Sequence, residues 1–551
     1  MFLKKSTARG KCYYNLATTY IENGKRRLKI LHKLGKLTDE EAEAVREWLK
    51  SMPRKGEPFV PFNLDDLGKG PTYVHGQVAL MYYLMRRLKI DSLLLSSFGG
   101  YRNQQALAQL SQILVLGRYD QLTSDLSLAE RYGSWSIKFL NGRPRIYVNQ
   151  LYRTLSKLYE QKDRIELKLW QRIGSRLTVV EGAHPFFKDI TSSYFEGNGC
   201  PKATGGYSRD HRGDCKQINW GMVITEEGIP ITLEVYPGNT ADKTTVLDTC
   251  RRLRDLFHIY DGIFVGDRGM MTGENVLGIQ EMGYHHIITE TVKNVQEIVS
   301  EAMSKTPTSL GDEILIGEVR KVVDGRSERW VVMKNPKMAE QVRRDKATGI
   351  EKGYEIIESV RSTIASGKLK DPKKIVRRVM KNLLKKHMGK YFDIDSISYS
   401  PAKGLLCPLK DGLDRYDGIW VIATDLDWDP DRLVATYRDL WKIESAFNEI
   451  KNVIEVRPIG HSKNDRVEGH LFVCVLAYYL ERLVELAVRE KGMNLTGKEA
   501  IAAFDLVTLD QISIGSMTRW KITELTPIQR RVLKDLNISE RSYREIEQRP
   551  F

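Results

Sequence analysis

The sequence predicts a mixed α/β protein whose central sheet is built from two separated stretches of the chain. Between residues 177 and 289, the apolar pattern predicts strands that are first antiparallel and then alternate with helices. This pattern stops over 291–405 and resumes with a strand at 418–424. Helix-spaced apolar residues dominate 76–175 and the carboxy-terminal region. We therefore expect an interrupted sheet flanked by helices, with mainly helical regions on both sides.

The first sixty residues are predicted to form a small basic β module followed by a helix. Two alternating stretches, 11–21 and 26–34, are separated by Asn23-Gly24, a dipeptide typical of a β-hairpin. Helical periodicity follows at 39–49. Lysine and arginine are dense before residue 37, which fits a solvated face and a DNA-contacting ribbon equally well. The helical region 76–175 fits a DNA-binding domain, although it shows no convincing helix-turn-helix spacing.

The central elements follow an order that is expected of a ribonuclease-H-like domain. A strand at 177–180 leads toward Asp189, and Glu227-Gly228 forms the turn between the next two strands. The remaining predicted elements are strands 217–225 and 229–236, helix 244–257, strand 262–267, helix 273–282 and strand 285–289.

An insertion domain is predicted before the sheet resumes. It contains a β-rich part (313–323 and 328–334) and a strongly basic helical part (338–361 and 372–387). The predicted domains are a basic amino-terminal module (1–60), a helical DNA-binding domain (61–175), the first part of the core (176–290), the insertion (291–405), the second part of the core (406–490) and a helical carboxy-terminal region (491–551).

Composition favours a nucleic-acid partner and a reducing compartment. The 86 Lys and Arg exceed the 71 Asp and Glu by 15. This excess fits a polyanionic partner, because Lys and Arg that neutralise phosphates release counterions. The six cysteines are scattered, and Cys200, His211 and Cys215 lack a fourth zinc ligand. The longest apolar run, 471–480, is about half of what a membrane span needs, so we expect a cytoplasmic protein with a buried helix there.

Three acidic residues carry the candidate chemistry. Asp189 follows an apolar strand, Asp267 ends another, and Glu444 lies on a helix. Gly266 and Gly269 flank the second of these, which leaves room for a metal or phosphate near the backbone. Converging carboxylates can bind two divalent ions, about 3.5–4 Å apart, that stabilise the attacking and leaving oxygens of phosphoryl transfer.

Each acidic residue also has a simpler interpretation. Acidic residues at strand ends are common as caps and turn formers, and Glu196, Asp210 and Asp214 are rivals for the first position. We interpret 208–214 as an exposed connection. At 100° per residue, Tyr437 and Lys451 lie within about 20° of Glu444 on one helix face. That face could handle DNA, or it could be an ordinary amphipathic surface.

The three carboxylates and their neighbours resemble the DDE transposases of bacterial insertion sequences. The resemblance lies with the group whose glutamate helix carries Tyr, any two residues, Arg, any three, Glu, any six and Lys. Tyr437, Glu444 and Lys451 fit this spacing, whereas Leu440 occupies the arginine position. Further similarity lies in Asp189-Ile190-Thr191, in 266–270 (Gly-Asp-Arg-Gly-Met), in Arg457-Pro458-Ile459 and in Glu468-Gly469-His470.

The resemblance implies a ribonuclease-H-like core in which Asp189, Asp267 and Glu444 bind two Mg²⁺ ions, or Mn²⁺ in their place. It implies cleavage of the ends of the insertion sequence and strand transfer into target DNA, in a cut-and-paste reaction through a DNA hairpin. The partners would be the terminal inverted repeats, target DNA and a second copy of the chain, with no membrane. A bacterial protein of this kind would be cytoplasmic and nucleoid-associated when bound to DNA. The DNA contacts implied are Tyr437, Lys451, Arg268 and Trp330. Of these residues, Trp330 would stack on a flipped base.

Two other functions remain open at this point. One is a ribonuclease-H-like nuclease that cleaves DNA but does not rejoin it. The other is a DNA-binding protein with a vestigial catalytic site, for which Leu440 leaves room. Trp330 also has the alternative of being a core residue.

Overall fold

The computed structural model describes most of the chain, and this part divides into two compact units. The described residues are 2–8, 11–22, 25–50, 67–120, 124–173, 184–267, 269–305, 308–310, 314–323, 326–454, 456–514 and 517–548. The first unit comprises residues 1–69 with 512–518, and the second comprises 70–511 with 519–551. Among the described residues, no helix combines the length and apolar character needed to cross a membrane.

The first unit contains the predicted hairpin and helix. Strands β1 (Phe2–Ala8), β2 (Lys11–Glu22) and β3 (Lys25–Gly35) form an antiparallel sheet in that order, and α1 (Asp39–Lys50) follows. The Asn23-Gly24 turn lies outside the described residues. The nitrogen of Thr38 donates to the Glu41 carboxylate at 2.8 Å, and the Thr38 hydroxyl accepts from the Glu41 nitrogen at 3.1 Å. This reciprocal pair caps the start of α1.

The expected helices are present in the second unit. After β4 (Leu67–Val74), the structure has α2 (Gly76–Arg87), α3 (Ile90–Ser97), α4 (Gln104–Gly117), α5 (Asp125–Arg131), α6 (Lys138–Asn141), α7 (Val148–Glu160) and α8 (Lys162–Ile173). The strand predicted at 177–180 lies outside the described residues.

The central elements continue in the predicted order. They are β5 (His184–Tyr194), β6 (Gln217–Thr225), β7 (Pro230–Pro237), α9 (Val246–Asp255), β8 (Gly262–Gly266), α10 (Gly273–Glu281), β9 (His285–Glu290), α11 (Gln296–Ser304), β10 (Thr308–Leu310), β11 (Ile314–Val323) and β12 (Arg326–Lys334).

The rest of the chain adds one more strand to the sheet and many helices. Its elements are α12 (Pro336–Ala365), α13 (Pro372–Lys385), β13 (Ser398–Ser400), β14 (Gly404–Leu406), β15 (Ile419–Thr424), α14 (Pro430–Arg438), α15 (Trp441–Asn452), α16 (Asn464–Glu490), α17 (Gly497–Ala502), β16 (Thr508–Ile514), β17 (Met517–Ile522), α18 (Pro527–Asp535) and α19 (Glu540–Tyr543). The parts of β4, β16 and β17 within the second unit form a small sheet.

Among the described residues, a mixed sheet of nine strands is the centre of the second unit. Its order is β10-β11-β12-β15-β9-β8-β5-β6-β7, in which β5, β8 and β9 are parallel and all other neighbours are antiparallel. The prediction of a mixed α/β, ribonuclease-H-like core is confirmed. The β-rich part of the expected insertion extends this same sheet, because β12 pairs directly with β15.

The segment that leaves the sheet is therefore the helical one. Helices α12 and α13, with the β13–β14 hairpin, surround a small hydrophobic core of their own. This core includes Ile357, Val379, Leu383 and Phe392, each at most 1% exposed. The helical part of the insertion thus has enough buried apolar surface to hold its two helices together.

Helix α16 confirms the predicted buried helix. Every residue from Leu471 to Leu480 is at most 8% exposed, and the helix packs against α7, α4 and β7. Gly469 permits the closest approach, because a Cβ on this residue would fall far inside van der Waals distance of the Leu155 carbonyl oxygen of α7.

The first prediction concerns this helix packing. Gly469→Ala should destabilise the protein by about 1–3 kcal/mol, as overpacking of a core does. The clash must outweigh the helix propensity of alanine, which alone would stabilise the helix by about 1 kcal/mol. The midpoint of thermal unfolding measures the effect. Gly460→Ala is the matched control, because a Cβ there meets no atom within 4 Å. A Gly469→Ala protein as stable as wild type would contradict the close approach of α16 to α7.

Candidate active site

The parallel pairing of β5 and β8 brings two of the predicted carboxylates together. Phe187 lies opposite Val265 in this pair. The same register, continued by two residues, places Asp189 level with Asp267. Adjacent strands are about 4.8 Å apart, so level side chains on one face are near neighbours. Asp189 and Asp267 therefore lie side by side at the carboxyl end of β8.

The carboxylate of Asp189 is held in an environment that disfavours its charge. Its Oδ1 accepts a hydrogen bond from the Ile190 nitrogen at 2.7 Å. Burial raises the pKa of Asp189 to about 7, and the negative charge of Asp267 adds to this, while Arg209 opposes it. Two carboxylates that repel each other in this way form a site that a cation would stabilise.

Asp267 is exposed and is held by a tight turn. Its Oδ1 accepts from the Met270 nitrogen at 3.1 Å, and its carbonyl oxygen accepts from the Met271 nitrogen, also at 3.1 Å. A Cβ at Gly269 would lie 3.4 Å from Oδ1, so glycine keeps the space beside the carboxylate open. Arg268, predicted to contact DNA, lies outside the described residues.

Glu444 lies at an exposed position in the first turn of α15. Tyr437, in the last turn of α14, connects it to the sheet, since its hydroxyl is hydrogen-bonded to the Thr289 hydroxyl of β9 at 2.9 Å. Burial raises the pKa of Tyr437, and the charges of Asp267 and Glu444 raise it further. The phenol therefore lies within electrostatic reach of both carboxylates.

The single helix predicted around Glu444 is wrong in one respect. The chain forms two helices, α14 and α15, which meet at Asp439 and Leu440. The Leu440 nitrogen donates to the Tyr437 carbonyl, three residues back, so one tight turn separates Tyr437 from Glu444. The angles of an ideal helix therefore do not relate these two side chains. Leu440, at the arginine position of the family signature, packs against the hydrophobic core.

Lys451 lies in a different setting from the one predicted. Its Nζ pairs with Asp210 at 2.8 Å, and Arg457 pairs with the same carboxylate. The side chain of Asp210 is only 2% exposed, so 208–214 is not simply an exposed connection. Burial lowers the pKa of Lys451, while Asp210 opposes this. In this arrangement Lys451 is an internal counter-ion, which does not fit the expected phosphate contact.

Trp330 is a core residue. It lies in β12 between Val319 of β11 and Ala423 of β15, and it is 4% exposed. Its ring belongs to the hydrophobic cluster on one face of the sheet. The expected stacking on a flipped base would require an accessible ring face, so this role does not fit the structure.

The other candidates for the first carboxylate do not join Asp267. Asp214 is 65% exposed at its side chain and pairs with Arg212 at 2.9 Å, and Asp210 is neutralised by Lys451 and Arg457. Glu196 is exposed. Among these candidates for the first carboxylate, Asp189 is the one that the sheet places beside Asp267.

Two neighbours of Asp189 were not predicted. Arg209 lies within electrostatic reach of Asp189 and forms an ion pair with Asp242 at 2.5 Å. Both residues line a polar cavity of about 280 Å³ that also includes Tyr207, Asn219 and Thr240. No local pattern marks these residues, because they come from separate loops that the sheet brings together.

The two aspartates offer the kind of oxygen ligand that a divalent cation prefers, but they do not form a complete metal site by themselves. In the described part of the chain, no three His, Cys, Asp or Glu side chains are close enough to hold an ion. Asp189 and Asp267 supply hard carboxylate oxygens. Mg²⁺ is commonly bound by one or two carboxylates together with substrate phosphates, so an aspartate pair completed by DNA is sufficient.

A comparison with protein families identifies a match over the region that contains these carboxylates. A family model described as a transposase DDE domain matches residues 189–480, which is more than half of the chain. The match begins at Asp189 and ends in α16, so it includes both aspartates and Glu444. A search of curated proteins finds no match for the chain.

The second prediction follows from the burial of Asp189 beside the negative charge of Asp267. Its raised pKa means that the folded protein binds this proton more tightly than the unfolded chain, so stability falls as pH rises from about 4 to 7. Asp189→Asn should therefore stabilise the metal-free protein at pH 8 by about 1–3 kcal/mol, and the difference should vanish near pH 4. Urea unfolding in the presence of a chelator, at both pH values, measures it.

Asp214→Asn provides the control, because Asp214 is exposed and its pKa is lowered by Arg212. This variant should show no stabilisation at pH 8. If Asp189→Asn were stabilised equally at pH 4 and pH 8, the unfavourable ionised form of Asp189 would not be the cause of the gain.

Proposed function

The chain belongs to the transposase DDE domain family, and we propose that it uses divalent metal ions to cleave the ends of a transposable element and to join them to target DNA. Family membership makes it a transposase that acts in DNA recombination. The observation that supports the proposed chemistry is the aspartate pair, level on adjacent parallel strands, with Tyr437 within electrostatic reach of both Asp267 and Glu444.

Asp189, Asp267 and Glu444 would hold two Mg²⁺ ions, or Mn²⁺ in their place, once bound DNA brings Glu444 close enough to the aspartate pair to complete the set. When bound, such ions stabilise the charge on the phosphate and activate the attacking oxygen of water or of a 3′ hydroxyl. The hydrogen bonds from Ile190 and Met270 fix one oxygen of each aspartate, which leaves the second oxygens for the ions. The bond between Tyr437 and Thr289 fixes the approach of α14 and thereby the start of α15.

Two steps are proposed for the reaction. Water first nicks the transposon end, and the freed 3′ hydroxyl then attacks the opposite strand to form a hairpin, or attacks target DNA. Because Trp330 is buried, the hairpin route is proposed without an assigned stacking residue. The proposed assembly is a homodimer on two inverted-repeat ends, in the bacterial cytoplasm and associated with the nucleoid through DNA.

The basic strand β3 is a candidate for binding DNA ends. Nine of its eleven residues, Lys25 to Lys33, are exposed. They include five cations, Lys25, Arg26, Arg27, Lys29 and Lys33, of which Arg27 pairs with Glu22. Arg26, Lys29 and Lys33 lie within eight positions of one edge strand. An exposed strand with this spacing can follow a phosphate backbone, so we propose that the amino-terminal module binds the element's ends.

One rival function has specific support. Leu440 replaces the expected arginine, and Lys451 is engaged with Asp210. Both observations favour a DNA-binding protein that has lost catalysis. The aspartate pair favours an active enzyme, because repulsion between adjacent carboxylates destabilises a protein that has no cation to bind there.

The third prediction tests the catalytic assignment. Asp267→Asn and Glu444→Gln should each reduce Mg²⁺-dependent cleavage of the DNA that flanks the coding region. The loss should exceed about 100-fold, since removal of even an outer partner of a metal site costs about 10–100-fold. Binding of the same duplex should persist, because cations supply the affinity. Gel analysis of nicked and joined products measures both steps.

Asp214→Asn should cleave at the wild-type rate and serves as the matched control. A wild-type rate in Asp267→Asn would overturn the assignment. Nicking by the wild-type protein without any joined product would favour the nuclease, and absence of both would favour the vestigial protein.

The fourth prediction tests the amino-terminal module. Replacing Arg26, Lys29 and Lys33 with Gln should weaken binding of the end duplex and make it less dependent on salt. The slope of log K against log salt should fall by up to about 2.7, at about 0.9 for each phosphate that the protein no longer neutralises. Fluorescence anisotropy across a salt series measures this slope. An unchanged slope would place end binding elsewhere in the chain.

A further inference from the structure

The orientation of α13 is fixed by one apolar face. Ile375, Val379 and Leu383 recur at intervals of four residues and are all 0% exposed. They lie in the small core that α13 shares with Ile357 of α12 and with Phe392. Because this face is buried, the opposite face of α13 must point away from the core.

That opposite face is uniformly basic. At 100° per residue, five cations fall within a sector of about 100° that is opposite to the buried stripe. All five are exposed, and they are Lys374, Arg377, Arg378, Lys381 and Lys385. Lys373, Lys386 and Lys390 flank this basic face, and no Asp or Glu occurs between residues 372 and 392.

The basic face differs from the surface of the neighbouring helix in its lack of counter-charges. On α12, Arg344 pairs with Glu340, Arg361 with Glu358 and Lys346 with Asp417. In the part of the chain that the structure describes, none of the five cations of the basic face forms an ion pair. Like charges three and four residues apart on a helix repel each other, so the face would be stabilised by a bound polyanion.

The dimensions of the basic face fit a nucleic-acid duplex. From Lys374 to Lys385 it extends over eleven residues, or about 16 Å at 1.5 Å per residue. Each strand of duplex DNA carries one phosphate per about 3.4 Å of axis, so the face spans about five phosphates of a strand. Its members are all Lys or Arg, which suits contact with the backbone rather than recognition of bases.

We propose that the basic face of α13 binds duplex DNA without regard to sequence, as flanking or target DNA would require. This inference rests on the proposed function for its biological role, but the binding itself does not depend on catalysis. It assigns the helical part of the insertion to DNA contact, separately from the end binding proposed for β3.

The fifth prediction uses the full-length protein with all five cations of the basic face replaced by glutamine. Glutamine is a good helix former and the buried stripe is unchanged, so the thermal unfolding midpoint should stay close to wild type. Affinity for a duplex of unrelated sequence should fall, and its salt slope should decrease by up to about 4.5, at about 0.9 per phosphate. Fluorescence anisotropy over a salt series measures both quantities.

A second variant controls for net charge, because five exposed cations elsewhere in the chain are replaced by glutamine instead. These are Arg87, Arg102, Lys498, Lys521 and Lys534. In either variant the formal charge falls from +15 to +10 (15 − 5 = 10). The control should retain most of the wild-type slope. An equal decrease of the slope in both variants, or an unchanged slope in the α13 variant, would overturn the inference.

The result is distinguishable from a failure of the proposed function. Asp267→Asn should bind the unrelated duplex as wild type does, because it retains every cation of the basic face. If wild type cleaves no DNA while the α13 variant still shows the reduced slope, the catalytic proposal fails and this inference stands. An arm with the end duplex and an arm with supercoiled target plasmid identify which DNA the face holds during the reaction.

Discussion

The register between β5 and β8 is the constraint on which the site depends. A shift by one residue would turn Asp189 to the other face of the sheet, because side chains alternate along a strand. The observed register places two acidic side chains side by side, and burial, together with the charge of Asp267, raises the pKa of Asp189 to about 7. The sheet therefore stores unfavourable electrostatic energy at one position, and cation binding would release it. At this position the charged carboxylates lower the stability of the metal-free protein, but the same charges would be needed to bind a cation.

The position of the helical insertion determines how the chain returns to the sheet before Glu444. After the helical insertion, β15 returns between β12 and β9 and leads directly into α14 and α15. The return is fixed by Asp425, whose carboxylate accepts from the His286 nitrogen at 3.0 Å and contacts the His285 ring at 2.8 Å. Burial alone would raise the pKa of Asp425, but the ring and backbone nitrogens of His286, and then the His285 ring, hold it well below its usual value. This partly buried junction fixes the start of the segment that leads into α14 and α15.

Sequence patterns predicted the features that depend on local periodicity. Strands, helices and the position of Asp267 directly after β8 follow from alternation and apolar runs, whereas Asp189, predicted at a strand end, lies in the middle of β5. The pairing of Lys451 with Asp210, 241 residues apart, has no local signal. The inclusion of β12 in the central sheet, and with it the burial of Trp330, depends on which strand becomes its neighbour. The break at Leu440 could not be predicted from the side-chain angles, because that calculation assumes a continuous helix.

The charges near the aspartate pair explain why DNA affinity must come from other elements. Lys188 pairs with Glu234, Arg209 with Asp242, and Lys451 with Asp210. A lysine or arginine bonded directly to Asp189 would neutralise it and compete with a metal ion for its oxygens. The site can keep its two carboxylates available to cations only if nearby positive side chains are paired elsewhere. Surfaces such as β3 and the basic face of α13 can then supply phosphate contacts without that competition.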